Sequence, residues 1–342
     1  MWIHKLLFLT VGLFVGGIFS LLGVPAGWLL GALLTGIFFG IFIRDYDFTG
    51  WPFQMVLALV GANIGILMER GLFQQLVQYL LPLLITLLFT LLAGLSFGIL
   101  LSRWTDLDQR TAFFCTIPGG ASEVIALSRE YGADQRIVAA FHTARITMFV
   151  LMIPFGIGMI YGQGSTDPSA IPQLLPTGVQ VSFFVIVILG AYLLNRFINF
   201  PGGILIYSIA LGFILSEFII HIGEVPGYIS GIGQGLIGAM VGIRFERSTL
   251  VRLKSIGTAS VKILGLYLLG SLVIAGIFFL LTPLSYFTSL LSTVPAGAAE
   301  MASTAFALQM EPTLVASLHI IRVVSIFLVL PFLLKWWINR TE

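Results

Sequence analysis

The sequence predicts an all-α membrane protein made of two inverted-topology repeats, each with five transmembrane helices and one re-entrant or broken helix hairpin. Hydrophobic residues make up 58% of the chain and charged residues only 9%, which is too much apolar surface for a water-soluble globule to bury. Twelve apolar segments follow one another along the chain, most of them near the ~20 residues that cross a hydrocarbon core. The second half of the chain also repeats the first.

The duplication keeps a constant offset of 177 residues. Thr116-Ile-Pro-Gly-Gly-Ala-Ser-Glu123 recurs as Thr293-Val-Pro-Ala-Gly-Ala-Ala-Glu300. Further matches pair Gly61, Gly65, His142, Arg145 and Pro154 with Gly238, Gly242, His319, Arg322 and Pro331. A repeat of this length defines the domain organisation. Residues 1–165 form the first membrane repeat, residues 166–177 the linker and residues 178–342 the second membrane repeat.

Each repeat contains six apolar segments. In the first repeat they cover residues 5–22, 25–43, 52–68, 74–102, 109–129 and 136–161. In the second they cover residues 178–195, 201–219, 228–243, 256–281, 288–308 and 313–334. The first segment begins with a lysine, Lys5, followed by an apolar run, as in a signal sequence. Its counterpart at 178–195 lies in the middle of the chain, so both are assigned as membrane helices.

The fifth segment of each repeat contains a helix break. Proline disfavours helix at the residue before it and glycine adds backbone freedom. Pro118, Gly119 and Gly120 are therefore expected to divide the first of these segments into two half-helices. Pro295 and Gly297 should do the same in the second. The segment either crosses the membrane as a broken helix or returns to the same side as a re-entrant hairpin.

The distribution of basic residues favours the hairpin. Arg145, Lys262 and Arg322 lie within segments and are left out; if both fifth segments cross, the other basic residues divide six against eight. If both are re-entrant, Arg70 alone lies opposite thirteen others, which are Lys5, Arg44, Arg103, Arg110, Arg129, Arg136, Arg196, Arg244, Arg247, Arg252, Lys254, Lys335 and Arg340. The positive-inside rule then predicts ten crossings in the cell (inner) membrane, with N- and C-termini in the cytoplasm. Five crossings per repeat invert the second repeat relative to the first.

The glutamates of the repeated motif lie in the first turn of the second half-helices. Free N–H groups and the positive dipole end make such a terminus suitable for an anionic group. The two termini are expected to face each other near the membrane centre. Glu123 and Glu300 either cap their helices or exchange a proton or hold a cation during transport. The duplication of a carboxylate at this depth favours the transport role.

A histidine and an arginine follow each hairpin. His142 and Arg145, like His319 and Arg322, are three residues apart and so share one helix face. An arginine inside a membrane helix is expected to find a partner, and the glutamate of its own repeat is the first candidate. The pair either clamps the hairpin or joins a proton relay through neutral histidine. No metal or other cofactor is expected, because neither repeat offers a third good ligand at a recognisable spacing.

One position differs informatively between the repeats. Asn63 stands where the second repeat has Met240. Its amide either gives the pocket an asymmetric contact or bonds to a neighbouring backbone group. The residues predicted to bind substrate or ion are Asn63, Pro118, Gly119, Gly120, Ser122, Glu123, His142, Arg145, Pro295, Gly297, Glu300, His319 and Arg322.

The paired blocks resemble a known family. Pro118-Gly-Gly-Ala-Ser-Glu with His142-Thr-Ala-Arg145, and Pro295-Ala-Gly-Ala-Ala-Glu with His319-Ile-Ile-Arg322, are similar to the AbrB-type bacterial integral membrane family, often labelled ammonia monooxygenase. The resemblance covers nearly the whole chain and implies an inner-membrane protein linked to regulation of gene expression. The layout of residues 61–123 is more distantly similar to the sodium/bile-acid symporter and cation/proton antiporter group. That group has Ser-Asn after its proline-glycine-glycine break, and Glu123 in the place of that asparagine favours proton coupling.

The predicted function is secondary transport of a small solute, with an anionic solute and proton coupling favoured, rather than an enzymatic reaction. Its partners are the lipid bilayer and a small-molecule or ion substrate, with a homodimer left open. The net charge of +2 argues against a nucleic-acid partner. An indirect role in gene expression is the alternative. A membrane monooxygenase is less favoured, because His4, His142, His221 and His319 are too scattered for a copper or iron cluster.

Overall fold

The computed structural model describes residues 2–43, 46–161, 178–200, 202–220, 222 and 225–341. Every regular element in these ranges is helical. The first half contains α1 (Trp2–Leu21), α2 (Gly27–Phe38, continued by a π-helical turn at Phe39–Ile43), α3 (Trp51–Ile66), α4 (Leu72–Trp104), α5 (Gln109–Thr116), α6 (Ala121–Glu130) and α7 (Gln135–Tyr161). The second contains α8 (Gly178–Phe197), α9 (Gly203–Phe218), α10 (Gly227–Gly242), α11 (Arg247–Ile256), α12 (Thr258–Leu281), α13 (Tyr286–Thr293), α14 (Ala298–Ala307) and α15 (Pro312–Thr341). The predicted linker at 166–177 lies outside the described residues.

The described part of the chain has six helices long and apolar enough to cross a membrane, namely α1, α4, α7, α8, α12 and α15. Shorter apolar helices cover α2 with its π-helical turn, α3 and α9. A soluble fold would have to bury these faces, yet large apolar side chains such as Phe14, Leu88 and Val273 are exposed along them. The protein is therefore an all-helical protein of membrane type. The number of crossings and the inversion of the repeats stay predictions.

The chain divides into two compact units. Unit 1 comprises Met1–Gln75, Ile146–Arg247 and Ala296–Ala316, and unit 2 comprises Leu76–Arg145, Ser248–Pro295 and Ser317–Glu342. Each unit takes segments from both halves of the chain, so the units do not coincide with the predicted repeats. The repeat boundaries themselves stay a prediction.

Helices from the two halves interlock within unit 1. α2 packs on α10 and α3 packs on α9, while α1 packs on α2 and α8 on α9. Glycines make the first two contacts close, because a Cβ on Gly238 would overlap the Leu29 carbonyl and one on Gly61 would overlap the Ser208 hydroxyl. Small residues of this kind let membrane helices approach backbone to backbone.

Matching side-chain caps begin the two broken segments. The Asp108 carboxylate accepts the Thr111 N–H at 2.9 Å at the start of α5. The Ser285 hydroxyl accepts the Thr288 N–H at 3.1 Å at the start of α13. Such caps satisfy N–H groups that have no partner within the helix. The first half-helix of each segment therefore starts at the same place in both halves of the chain.

The breaks lie where the proline and glycine residues predict them. α5 ends at Thr116 and α13 ends at Thr293. The next residues, Ile117 and Val294, have ψ angles of 131° and 136°, which is the extended conformation that a following proline imposes. The predicted interruption of both segments is thus confirmed.

Candidate functional site

In the second half of the chain, His319 and Arg322 of α15 bind the carbonyl groups left open at the end of α13. The His319 Nε2 lies 2.6 Å from the Leu291 carbonyl oxygen. The Arg322 Nη1 donates to the Thr293 and Val294 carbonyls at 2.8 and 2.6 Å. The Arg322 Nη2 is 3.0 Å from His319 Nδ1. Since a guanidinium can only donate, Nδ1 accepts and the proton of a neutral His319 lies on Nε2. The two side chains together cap the half-helix.

The first half repeats the histidine contact but not the arginine contact. The His142 Nε2 lies 2.9 Å from the Phe114 carbonyl oxygen, and the Arg145 Nη2 lies 3.0 Å from His142 Nδ1. The Thr116 carbonyl at the end of α5 accepts a hydrogen bond from the Tyr267 hydroxyl instead of from arginine. Arg145 is only 2% exposed. Its Nε and Nη1 have no hydrogen-bond partner in the part of the chain that the structure describes.

The ion pair predicted between Arg145 and Glu123 is not formed. The guanidinium contacts His142 and lies over the Tyr267 ring, with its CZ atom 5.2 Å from the ring centroid. The Glu123 carboxylate lies against Gly120. The three-residue spacing correctly places His142 and Arg145 on one helix face, but it does not say which acceptors lie opposite that face.

Both glutamates fold back over the glycine that precedes their half-helix. Glu123 and Glu300 occupy the third helical position after Gly120 and Gly297, which is the position of the glutamate in a capping box. A Cβ on either glycine would overlap the carboxylate, so glycine leaves room for this geometry. Glu300 is 7% exposed and has the charge of Arg244 nearby. Both carboxylates thus have the position of a capping glutamate, and the choice between a cap and a transport role stays a prediction.

The other residues of the predicted motif form the breaks. Pro118 and Gly119 connect α5 to α6, and Pro295 connects α13 to α14 by way of Gly297. A Cβ on Gly119 would overlap the Val124 side chain, so this turn is tightly packed. Ser122 lies in the first turn of α6.

Asn63 belongs to a buried polar cluster in unit 1. It is 8% exposed, donates from Nδ2 to the Leu59 carbonyl at 2.9 Å and accepts from the Ser230 hydroxyl at 3.0 Å. The predicted bond to a neighbouring backbone group is therefore present, and the contact with Ser230 is additional. Asn63, Ser230, Gln234 and Ser303 line a void of about 10 Å³, which is room for about one water molecule.

A cavity of about 520 Å³ also lies in unit 1, within the size range of small-molecule sites. The polar side chains of its lining belong to Ser20, Trp28, Gln234 and Gln309, and Gln234 also lines the void beside Asn63. No ionisable side chain is found among the described residues of this lining. The cavity was not predicted from the sequence, because its lining comes from distant parts of the chain.

Gln309 has a backbone conformation that glycine normally adopts. Its φ is 54°, and it ends α14 with hydrogen bonds from the Gln309 N–H to Phe306 at 3.1 Å and from the Met310 N–H to Ala305 at 2.8 Å. This is a Schellman motif. Gly132, with φ 73°, ends α6 by the same pair of bonds. The replacement of this glycine by glutamine in the second repeat is the sequence signal that could have pointed to the cavity.

The histidines of the broken segments are engaged in hydrogen bonds. Both ring nitrogens of His142 and both of His319 have partners, which leaves neither imidazole a lone pair for a metal. Among the described residues, no group of three His, Cys, Asp or Glu side chains could hold a metal ion. The described side chains of this site are therefore suited to form hydrogen bonds and to stabilise charge.

The sequence matches the family model described as "Transition state regulatory protein AbrB" over residues 28–338. It is 27% identical to "Uncharacterized protein YhjN" of Bacillus subtilis (strain 168) over 362 aligned positions, which cover 96% of this chain and 92% of the relative. It is 24% identical to "Putative regulator AbrB" of Escherichia coli (strain K12) over 318 positions, which cover 92% of this chain and 90% of the relative. The matched residues 28–338 include both broken segments and both histidine–arginine pairs.

Proposed function

We propose that this protein, which belongs to the AbrB family, is a secondary transporter of a small solute. The observation that carries the proposal is the cavity of about 520 Å³ in unit 1, which shares Gln234 and Phe306 with the void beside Asn63. Buried polar side chains are costly among membrane helices and mark solute or ion pathways. Phe306 belongs to α14, the second half of a broken segment, and broken helices at the binding site are typical of secondary transporters.

In this proposal the two halves have inverted topology and ten helices cross the inner membrane. The half-helix hairpins are re-entrant, meet near the midplane and move between the two faces with the solute. Both termini are cytoplasmic, as the thirteen-to-one division of the basic residues favours. The protein acts as a carrier in the lipid bilayer and not as an enzyme.

Proton coupling is assigned to the two glutamates. The Glu300 carboxylate lies at the N-terminus of α14 against Gly297, where its negative charge is stabilised by the helix dipole and by Arg244. Protonation removes that charge and weakens the cap. Proton uptake would thereby change how firmly the half-helix is held, which links the proton to the movement of the hairpin.

A transport screen with a matched pair of variants tests the proposal. Purified protein in proteoliposomes would be offered radiolabelled solutes under imposed proton gradients, with Gln234→Leu as the cavity variant and Gln75→Leu as its control. Gln75 is exposed at the start of α4, so the control makes the same chemical change away from the cavity. We expect gradient-driven uptake in the unmodified protein and in Gln75→Leu. In Gln234→Leu, the apparent affinity should fall roughly 10-fold, as the loss of one or two hydrogen bonds produces.

If Gln234→Leu and Gln75→Leu take up solute equally well, the cavity does not lie on the transport path. Absence of uptake of every solute under every gradient would contradict transport itself.

A second candidate function is an indirect role in the regulation of gene expression. It is favoured by the description of the family model and by the name of the Escherichia coli relative. Such a role would act through a solute or a partner, because the described elements are helices of membrane type. Deletion that alters transcription while no solute flux is found would support it over transport.

A further inference from the structure

The two histidine–arginine pairs occupy equivalent positions, yet only one arginine is used as a cap. Arg322 donates to two carbonyl groups at the end of α13 and contacts His319. Arg145 contacts His142 through Nη2, while its Nε and Nη1 donate to no described acceptor. The guanidinium is as buried as its counterpart, with 2% of Arg145 and 6% of Arg322 exposed. The difference therefore lies in the partners and not in the depth of burial.

Tyr267 binds the carbonyl group that corresponds to one of the acceptors of Arg322. Its hydroxyl, on α12 in unit 2, donates to the Thr116 carbonyl, which is equivalent to a carbonyl that Arg322 binds in the other half. The residue equivalent to Tyr267 in the first repeat is Thr90 on α4. The Thr90 hydroxyl donates to the Thr86 carbonyl of its own helix at 2.7 Å. In one half of the chain a tyrosine has taken over the capping bond, and the arginine of that half is released from it.

A buried guanidinium with free N–H groups is unfavourable unless something accepts them. Arginine stays protonated in proteins, so it cannot relieve the cost by losing its charge. Around Arg145, His142 accepts one bond, and the Tyr267 hydroxyl donates to the Thr116 carbonyl and interacts with the guanidinium, but Nε and Nη1 have no hydrogen-bond partner among the described residues. The second guanidinium of unit 2, Arg322, adds positive charge nearby. An anion with acceptor oxygens would match both the charge of Arg145 and its Nε and Nη1 donors.

We propose that Arg145 binds a small monocarboxylate, which accepts hydrogen bonds from Nε and Nη1. A carboxylate is the group that matches a guanidinium in charge and in hydrogen-bond geometry. The Arg145 site belongs to unit 2, so the inference goes beyond the proposed function, which is argued from the cavity in unit 1, and it rests on that function only for the transport of the anion. Binding itself is a property of the purified protein and is measured separately.

Acetate and acetamide are the probes, because they have nearly the same shape and differ in charge. The thermal unfolding midpoint of the purified full-length protein in detergent would be recorded against the concentration of each, with ionic strength held constant by a bulky sulfonate. A ligand that binds the folded state alone raises the midpoint with concentration. We expect a rise with acetate and none with acetamide.

Three variants separate binding from folding. Arg145→Gln should weaken the acetate affinity by roughly 10-fold or more, the change expected for a lost hydrogen bond to a charged group. Arg322→Gln removes a cap, so it should lower the midpoint without acetate and keep the acetate-dependent rise. Tyr267→Phe frees the Thr116 carbonyl for Arg145 and should weaken acetate binding while Arg145 is still present. This last variant keeps the proposal testable if Arg145→Gln does not fold.

An equal response to acetate and acetamide would overturn the proposal. An acetate affinity that is unchanged in both Tyr267→Phe and Arg145→Gln would also overturn the proposal. So would an acetate affinity that is lost in Arg322→Gln alone. Acetate binding in a protein that carries no solute in proteoliposomes would leave the Arg145 site standing and refute the proposed function. Transport without acetate binding would refute the Arg145 site and leave the proposed function standing.

Discussion

Replacing Gln309 with glycine separates the two roles that this residue has in the structure. Its backbone has φ 54°, a left-handed conformation that costs a non-glycine residue about 1–2 kcal/mol. Glycine avoids that cost but loses more chain entropy on folding, by about 0.5–1 kcal/mol. We therefore expect Gln309→Gly to raise the free energy of unfolding by roughly 0.5–1 kcal/mol. The side chain lines the cavity, so the same substitution should weaken solute binding.

The reciprocal substitution is the control. Gly132 ends α6 by the same pair of bonds with φ 73°, and a Cβ built there has only the Arg110 Nη1 within 4 Å, at 3.9 Å. A glutamine at position 132 therefore has space, and its penalty comes from the backbone. Gly132→Gln should lower the free energy of unfolding by roughly 0.5–1 kcal/mol.

Both free energies can be measured by titrating SDS into protein in mixed micelles while helicity is recorded. Solute binding would be measured on the same preparations. A Gln309→Gly protein that is less stable than the unmodified chain would show that the glutamine side chain stabilises the fold. In that case the packing of the Gln309 side chain offsets the strained backbone, and the inference that this glutamine is retained for binding is wrong.

Two further predictions concern the glutamates and the topology. Glu300→Gln keeps the shape of the side chain but cannot titrate, so it should abolish gradient-driven uptake and leave solute exchange intact, both measured in the same proteoliposomes. If Glu300 acts only as a cap, coupled uptake keeps its pH dependence in whatever protein remains. A single cysteine placed at Arg129, in a background with Cys115 replaced, should react with an impermeant thiol reagent from the cytoplasmic side only, whereas labelling from outside would mean that the segment crosses.

The helix breaks could be predicted from the sequence because their causes are local. Pro118 and Pro295 act on their own backbone and on the residue before them, so the consequence is readable from two or three letters. The same holds for the position of Glu123 and Glu300 in the first turns of their half-helices. The membrane class followed from composition, since no soluble arrangement buries so many apolar side chains.

The partners of the buried arginines could not be predicted, because they depend on which backbone groups face them. The sequence suggested a carboxylate for Arg145, whereas the described contacts are with a histidine and an aromatic ring. Open carbonyl groups at a helix end have no sequence signature of their own. Tyr267 lies 151 residues from the carbonyl that it binds, and nothing near it in the sequence marks that contact.

The helix α11 was missed for a different reason. It carries Arg247, Arg252 and Lys254 and is too polar to be found by a search for apolar segments. Its residues fell between two predicted membrane segments, where only a connection was expected. A search for helical periodicity in polar stretches would have been needed to find it.

The duplication makes the differences between the two halves more informative than the similarities. Residues that agree, such as His142 with His319 or Gly120 with Gly297, bind the same backbone groups or leave room for the same carboxylate in both halves, so their shared role is to hold the breaks. Identical halves would offer a solute two equivalent half-sites.

A solute without two-fold symmetry needs contacts that occur only once. In the proposed transporter, those single contacts are expected where the copies diverge. Asn63 replaces a methionine, Gln309 replaces a glycine in spite of the backbone cost, and Tyr267 releases Arg145 from a bond that Arg322 keeps. Asn63 and Arg145 are buried, whereas Gln309 is exposed where it lines the cavity. A buried N–H group without an acceptor is unfavourable, so the Nε and Nη1 of Arg145 are where an anion is expected to bind in the first copy and not in the second.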